Sequence, residues 1–454
     1  MRSYDLAIIG SGPGGYVSGL YASRHKLKVC LIEKDLVGGT CLNRGCIPTK
    51  VMLNSASLFS RIKDYTALGI NIDGYSLNFP AVVLRKNNIV EKLRAGIETL
   101  LRANHIDLIR GEASFSEPDV ITAGSGDPIT AKNIIIATGS RPMELPNLKC
   151  DESTIYSSDG ILNIPELPGS IIIIGGGVIG AEFATMFSRF GVKVTVVELM
   201  DRLIPTQSRE VSKKLEMVFR KSGIDVMTST KVESLTADGS ARVRISTGKE
   251  ITGDKVLIGV GRRSNIEGLG LEKIGVSVEK GRITVDKRLR TSIKNIYAIG
   301  DCVSGPLLAY KASYDGIVAC DNILGGEREA DYSNMPNCIF TDPEIGSVGL
   351  TEEEARQRYP DARIAKFPYL ASSKAAIIGR QEGFVKIIGD AKGSLLGVEY
   401  FGEGASDLIS EAVLARQAGV GIKELSRVIH GHPTLSEILQ EAAHIFCGTP
   451  IHTL

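Results

Sequence analysis

The sequence has no excess of either charge: 53 lysines and arginines stand against 52 aspartates and glutamates, a formal net charge of +1. A nucleic-acid-binding face or an anionic-membrane face needs clustered basic charge that this balance does not supply, so neither partner is expected. Long apolar runs are also missing. The longest block, Ile171 to Ala181, is too short to cross a bilayer and is broken by four glycines. The strand-like Asp5–Ile9 starts so early that no secretory signal fits before it. A soluble cytoplasmic protein is predicted. Cysteine does not form a framework: the eight lie at 30, 41, 46, 150, 302, 320, 338 and 447. Apart from those at 41 and 46, each is expected to be a small buried hydrophobe. Tryptophan is absent, and nothing follows from that.

Glycine is abundant, 50 of 454 residues, against an average of about 7%. That favours tight turns and close approaches of backbone to ligands. With 43% hydrophobic and 23% charged residues the chain is globular, and its length suggests about three domains of ~150 residues.

The glycines fall in a pattern. Tyr4–Ile9 reads as a strand that runs into Gly10-Ser-Gly12-Pro-Gly14-Gly15, a helical stretch, a second strand Lys28–Ile32 and Glu33. In such a unit Gly10 makes the turn, Gly12 lets backbone approach a pyrophosphate, Gly15 lets helix pack on strand, and Glu33 accepts from ribose hydroxyls. The arrangement recurs. Ser170–Ile174 leads into Gly175-Gly-Gly177-Val-Ile-Gly180, a helix, a strand Lys193–Val197 and Glu198, with 23 residues from first glycine to acid in both copies. Two working nucleotide sites are predicted. Later apolar strands, Asn133–Gly139 and Lys255–Gly261, extend the two sheets, and a third, Asn295–Asp301, carries an acid at its carboxyl end. From about Tyr332 the pattern changes to strands at Ile364–Pro368, Phe384–Ile388 and Leu395–Phe401 with a helix at Ala405–Ala418, an α+β domain with an antiparallel sheet.

Between Gly38 and Lys50 the chain reads GGTCLNRGCIPTK, with Cys41 and Cys46 separated by four residues. Three readings are open: a redox pair, two unpaired buried thiols, or half of a metal site, the last weakened by the absence of a second C-x-x-C or a nearby histidine. On a regular helix positions i and i+5 have Cα atoms about 8.6 Å apart, whereas a disulfide wants about 4.4–6.8 Å. Pairing therefore needs a distorted backbone, which Gly45 and Pro48 permit.

Six stretches in order, GSGPGG at 10, GGTCLNRGC at 38, ATGS at 137, GGGVIGAE at 175, AIGD at 298 and HPTLSE at 432, resemble the pyridine nucleotide-disulfide oxidoreductases over nearly the whole chain. The resemblance implies an α/β architecture: two Rossmann-like dinucleotide-binding domains plus a C-terminal α+β dimerisation domain. Its expected segments are an FAD-binding domain at 1–145, an NAD-binding domain at 146–263, a return segment at 264–331 and a dimerisation domain at 332–454. It implies FAD on Gly10, Gly12, Gly15 and Glu33 with Asp301 at the ribityl chain, and a nicotinamide cofactor on Gly175, Gly177, Gly180 and Glu198. Gly14, Lys34, Gly39, Thr40, Ala113, Thr138, Gly139 and Gly261 complete the cofactor-contacting set. Glu198 repels a 2′-phosphate, so NAD is expected over NADP; Asp201 adds to the repulsion and Arg202 relieves part of it.

The same resemblance pairs Cys41 with Cys46 as a redox-active disulfide and pairs Lys50 with Glu182 beside the flavin and nicotinamide. It makes His432 the base and Glu437 its orienting partner, supplied across a homodimer interface, with His432-Pro433 in cis. It assigns no metal. The implied reaction oxidises dihydrolipoyl groups to lipoyl with reduction of NAD, on free dihydrolipoamide or on a lipoyl-bearing protein of a 2-oxoacid dehydrogenase or glycine-cleavage complex. No lipoyl domain precedes Tyr4, so a partner is expected to bring that group. The rivals are a reductase of another low-molecular-weight disulfide and a non-catalytic flavoprotein subunit. Arg44, between the cysteines, and Tyr310 depart from the family's usual residues.

Overall fold

The computed structural model describes residues 2–124 and 126–453. The chain forms two compact units: one of residues up to Leu167 with Leu257–Ala330, the other of Pro168–Val256 with Asp331 onward.

In the first unit a parallel sheet runs Asp107–Arg110, Val29–Glu33, Arg2–Ile9, Ile129–Ile136, with Ile296–Ala298 also on the last of these. An antiparallel pair, Ala113–Glu117 and Val120–Ala123, extends it. Successive side chains of a strand point to opposite faces. Leu6 and Ile8 accordingly enter one core cluster and Ala7 and Ile9 another, all essentially without solvent exposure. Burial on both faces is why Leu6–Ile9 is uniformly apolar rather than alternating. Each such leucine or isoleucine contributes about 1.5–3 kcal/mol.

In the second unit Ser170–Ile174 pairs in parallel with Lys193–Val197, which pairs with Asp225–Met227. The C-terminal part is an antiparallel sheet in the order Asn337–Ile339, Ile345–Gly349, Leu395–Phe401, Phe384–Gly389, Arg363–Pro368. The helices Ala405–Gln417 and Glu437–Phe446 share its buried cluster. The expected strands of the α+β region thus lie within a residue or two of their predicted ends.

The third apolar segment departs from expectation. Its strand covers only Ile296–Ala298, and Gly300–Cys302 forms a 3₁₀ turn. The turn is held from both sides: Gly300 N–H donates to Asp315 Oδ2 at 3.0 Å, and Lys311 Nζ donates to Gly300 O at 3.2 Å. Several helices lie outside the sequence reading, among them Cys46–Arg61 and the 25-residue Phe79–Ala103. The longer buries only Phe79, Lys86, Val90 and Leu101, so its apolar stripe is faint. No helix among the described residues is long and apolar enough to cross a membrane.

Candidate active site

Cys41 and Cys46 are joined in a disulfide with Cα atoms 4.6 Å apart. The contraction from helical spacing has a local cause. The helix Gly39–Arg44 ends at Gly45, whose backbone (φ −134°, ψ −109°) leaves the helical region, and a new helix, Cys46–Arg61, begins at the second cysteine. A Cβ on Gly45 would lie 3.0 Å from Thr40 O, so the break also needs a small residue. Asn43 braces the stretch by donating to Val37 O and Gly39 O at 2.9 Å each. Arg94 Nη1 donates to Asn43 Oδ1 at 3.2 Å. Arg44 is ion-paired with Asp35, so its charge is already partnered. Lys50 lies one helical turn beyond Cys46.

The other cysteines differ in kind. Burial pushes the Cys30 and Cys320 thiols up to about 12 and Cys302 to about 11, far from a reactive thiolate. Cys150 and Cys338 are half-buried, and Cys447 is exposed. The expectation of a buried hydrophobe fails for Cys447 because it follows the last buried residue of its helix, Phe446.

The two glycine motifs superimpose in role. Gly10 and Gly175 have φ of +100° and +106°, a turn that L side chains resist. The third glycine is sterically obligatory: a Cβ on Gly15 would lie 1.8 Å from Gly10 O, and one on Gly180 1.8 Å from Gly175 O. The middle glycine faces open space, since a Cβ on Gly12 would meet only Gly39 Cα at 4.0 Å and one on Gly177 nothing within 4 Å. Gly12 and Gly177 each precede a helix, Pro13–Arg24 and Val178–Arg189, that no side chain caps. Uncapped N–H groups beside open space suit a pyrophosphate.

The carboxylates complete each cradle. Glu33 Oε2 accepts from Ser11 N–H at 2.8 Å and Ser11 Oγ–H at 2.6 Å, and Oε1 accepts from Asp35 N–H at 2.8 Å. Glu198 Oε2 accepts from Gly176 N–H at 2.5 Å, and Oε1 from Met200 N–H at 2.6 Å. A carboxylate has about four acceptor positions, so Glu33 retains one for a ribose hydroxyl and Glu198 two. Both residues therefore fit a dinucleotide's adenosine end. Asp201 lies 3.0 Å from Arg209 and 3.6 Å from Arg202, so its charge is compensated and the bias against a 2′-phosphate rests on Glu198.

Asp301 accepts from Ser140 Oγ at 2.5 Å, and Ser264 Oγ donates to Asp301 O at 2.6 Å. Arg262 grips Ser140 twice, Nε to Oγ and Nη2 to O, both at 2.8 Å. Ser140, Arg262 and Ser264 were not in the sequence-derived set; their signal is that each follows a strand-end glycine, Gly139 or Gly261. Thr138 and Gly139 join this loop, with Asn265 Nδ2 donating to Thr138 O at 3.2 Å and Asn265 N–H to Gly139 O at 2.9 Å. Gly39 abuts the first motif, its Cβ position 2.7 Å from Gly12 Cα, and Thr40 Oγ1 lies 3.4 Å from Ser140 O. Ala113 is buried in its strand. Lys34 pairs with Glu112 at 2.8 Å on the surface.

In the second unit Glu182 is buried and accepts from Phe340 N–H at 3.1 Å. His432-Pro433 is cis. His432 Nδ1 lies 2.9 Å from Glu437 Oε1, and Thr434 N–H donates to Glu437 Oε2 at 2.8 Å. Burial works to raise the Glu437 carboxyl, but the Thr434 N–H and His432 outweigh it and hold it below its ordinary value. The His432 side chain is 71% exposed, with Nδ1 oriented by the carboxylate and Nε2 at the far side of the ring.

Two dinucleotide cradles and a redox disulfide in one chain define an oxidoreductase that links a nucleotide cofactor to thiol chemistry. The chain belongs to the pyridine nucleotide-disulphide oxidoreductase family: that family's model matches residues 4–316, and the model of its dimerisation domain matches 335–443. It is 41% identical over 469 aligned residues to a dihydrolipoyl dehydrogenase of Bacillus subtilis, covering 99% of each chain. To a dihydrolipoyl dehydrogenase of Chlamydia pneumoniae it is 40% identical, covering 99% of this chain and 98% of that one. Among solved structures it is similar to LpdA from Mycobacterium tuberculosis (TM-score 0.92, 28% identity, 98% and 99% of the two chains). It is also similar to the HOCl-induced flavoprotein disulfide reductase RclA from Escherichia coli (TM-score 0.89, 30% identity, 98% and 100%).

Proposed function

We propose that this enzyme is a dihydrolipoyl dehydrogenase that oxidises dihydrolipoyl groups and reduces NAD, using FAD and the Cys41–Cys46 disulfide. The observation that carries the reading is that disulfide, seated in a chain 41% identical across 99% of its length to a protein of that name. The working division is the four-segment one, with FAD bound in 1–145, NAD in 146–263, a return segment at 264–331 and dimerisation through 332–454.

In the proposed reaction one substrate thiol attacks Cys41 Sγ, the S–S bond breaks and Cys46 leaves as a thiolate. His432 of one subunit takes the thiol proton for the disulfide of the other, and Glu437 keeps its Nδ1 as the donor side so that Nε2 can accept. The second substrate thiol then displaces Cys41 as the substrate closes its own disulfide, leaving both protein cysteines reduced. Bound FAD would supply the two-electron chemistry that links this dithiol's thiol exchange to the nicotinamide. Gly10, Gly12, Gly14, Gly15, Glu33, Lys34, Gly39, Thr40, Ala113, Thr138, Gly139 and Asp301 hold FAD. Gly175, Gly177, Gly180, Glu198 and Gly261 hold NAD. Lys50 sets charge beside the flavin and Glu182 beside the nicotinamide. The enzyme acts as a cytoplasmic homodimer on lipoyl groups carried by a 2-oxoacid dehydrogenase or glycine-cleavage assembly.

The test compares NADH formation from dihydrolipoamide with NADPH-driven reduction of glutathione disulfide. Turnover in the first assay, abolished by Cys46→Ser while NADH still reduces ferricyanide, is expected. Turnover only in the second would replace this reading with a low-molecular-weight disulfide reductase.

A further inference from the structure

His430 lies two residues before the base, and no role has been assigned to it. Its side chain is 5% exposed. Nδ1 lies 3.0 Å from Val428 O, and Nε2 lies 2.9 Å from Glu411 Oε1. A carbonyl oxygen only accepts, and so does a carboxylate. The ring can donate to both contacts only with a proton on each nitrogen. A neutral ring would set a lone pair against an oxygen at one of the two contacts.

We propose that His430 is a positioning residue, a double donor that ties the segment carrying His432 to the helix Ala405–Gln417 through Glu411. The inference rests on the dihydrolipoyl dehydrogenase reading, because it is the base of that reaction that His430 positions. Only Gly431 separates the two histidines, and a brace spans His432, Thr434 Oγ1 donating to Gly431 O at 2.7 Å. Fixing His430 at one end and Glu437 at the other therefore leaves His432 little freedom. Glu411, on the helix Ala405–Gln417, contacts the ring, and His430 is among the groups that hold the Glu437 carboxyl down. A charge-assisted bond is about twice as strong as a neutral one, so a neutral replacement gives up most of the tether even where it keeps a hydrogen bond.

The decisive measurement is the ring's protonation in the intact holoenzyme. With ¹⁵N-labelled histidine, and His430→Gln used to assign the signal, both His430 nitrogens are expected in the N–H range. A spectrum with one bare nitrogen, which a proton on Glu411 would produce, overturns the proposal. Kinetics supply the second arm. His430→Gln and Glu411→Gln are each expected to lower kcat for dihydrolipoamide about tenfold, a fraction of what a general base contributes. NADH-driven ferricyanide reduction, which does not use the base, should be unchanged. An unchanged dihydrolipoamide kcat in both variants, or equal loss of the two activities, would overturn it. If the wild-type enzyme does not oxidise dihydrolipoamide, the functional reading falls while the spectrum still decides the state of the ring.

Discussion

The two glycine motifs are close copies in backbone and differ in how they hold their acid. Both use a left-handed first glycine, an open second and a crowded third, and both clamp a glutamate between the N–H of the residue after the first glycine and the N–H two residues beyond the acid. The first motif adds Ser11 Oγ to that clamp. The second has Gly176 in its place, where a Cβ would lie 2.5 Å from Leu203 Cδ2. The extra hydroxyl uses an acceptor position on Glu33 that Glu198 keeps. The difference leaves Glu33 held by three donors with one acceptor position free and Glu198 held by two with two free.

The hardest test of this comparison is to exchange the roles of the second and third glycines. Gly15→Ala and Gly180→Ala each force a methyl into backbone and are expected to destabilise by more than about 3 kcal/mol, beyond ordinary overpacking. Thermal melting measures this. As apoproteins, Gly12→Ala and Gly177→Ala should melt within about 0.5 kcal/mol of the wild-type apoprotein yet bind flavin and NAD, respectively, more weakly. A Gly180→Ala protein that melts normally would break the parallel.

Removing the acids comes next. Glu198→Ala is expected to weaken NAD binding about 10- to 100-fold, as loss of hydrogen bonds to a charged group does. It should also admit NADPH, because Arg202 and Arg209 remain beside Asp201. Isothermal titration with both nucleotides reads this, and continued rejection of NADPH would shift the selectivity elsewhere. A smaller effect is expected for Ser11→Gly, which turns the first clamp into the second. Flavin should dissociate about fivefold faster, the equivalent of one hydrogen bond of about 1 kcal/mol.

The smallest effect concerns acid sensitivity at a carboxylate outside either motif. Glu437 has a lowered folded value. Its stabilising contribution is therefore complete above the ordinary glutamate range and lost as pH falls through the folded value. Glu437→Gln should be less stable than wild type at neutral pH, with the gap closing on acidification below that range. A gap that is constant with pH would mean the carboxylate is not held by charge.

Much of this could be read from residue order. The two repeats, their acids and the cysteine stretch are local patterns, and a uniformly apolar Leu6–Ile9 signals burial on both faces. The strand ends of the C-terminal sheet were legible for the same reason. Phe79–Ala103 was not, because a helix with four buried residues leaves little periodicity. Nor were Ser140 and Arg262, whose roles come from a contact across 122 positions, nor Arg209, which neutralises Asp201 from the next helix.

The sequence by itself determined the two dinucleotide units, the place of the thiols between them and the need for a break at Gly45, because turn chemistry, burial and chain geometry are local. Only the tertiary structure decided which polar groups meet. It partnered Arg44 with Asp35, gave Glu33 three donors and Glu198 two, and seated His430 between two acceptors. Those outcomes depend on how turns and neighbouring elements aim their polar groups, as Arg44 meets Asp35 and His430 meets Glu411, and a pattern of residue types does not encode that aim.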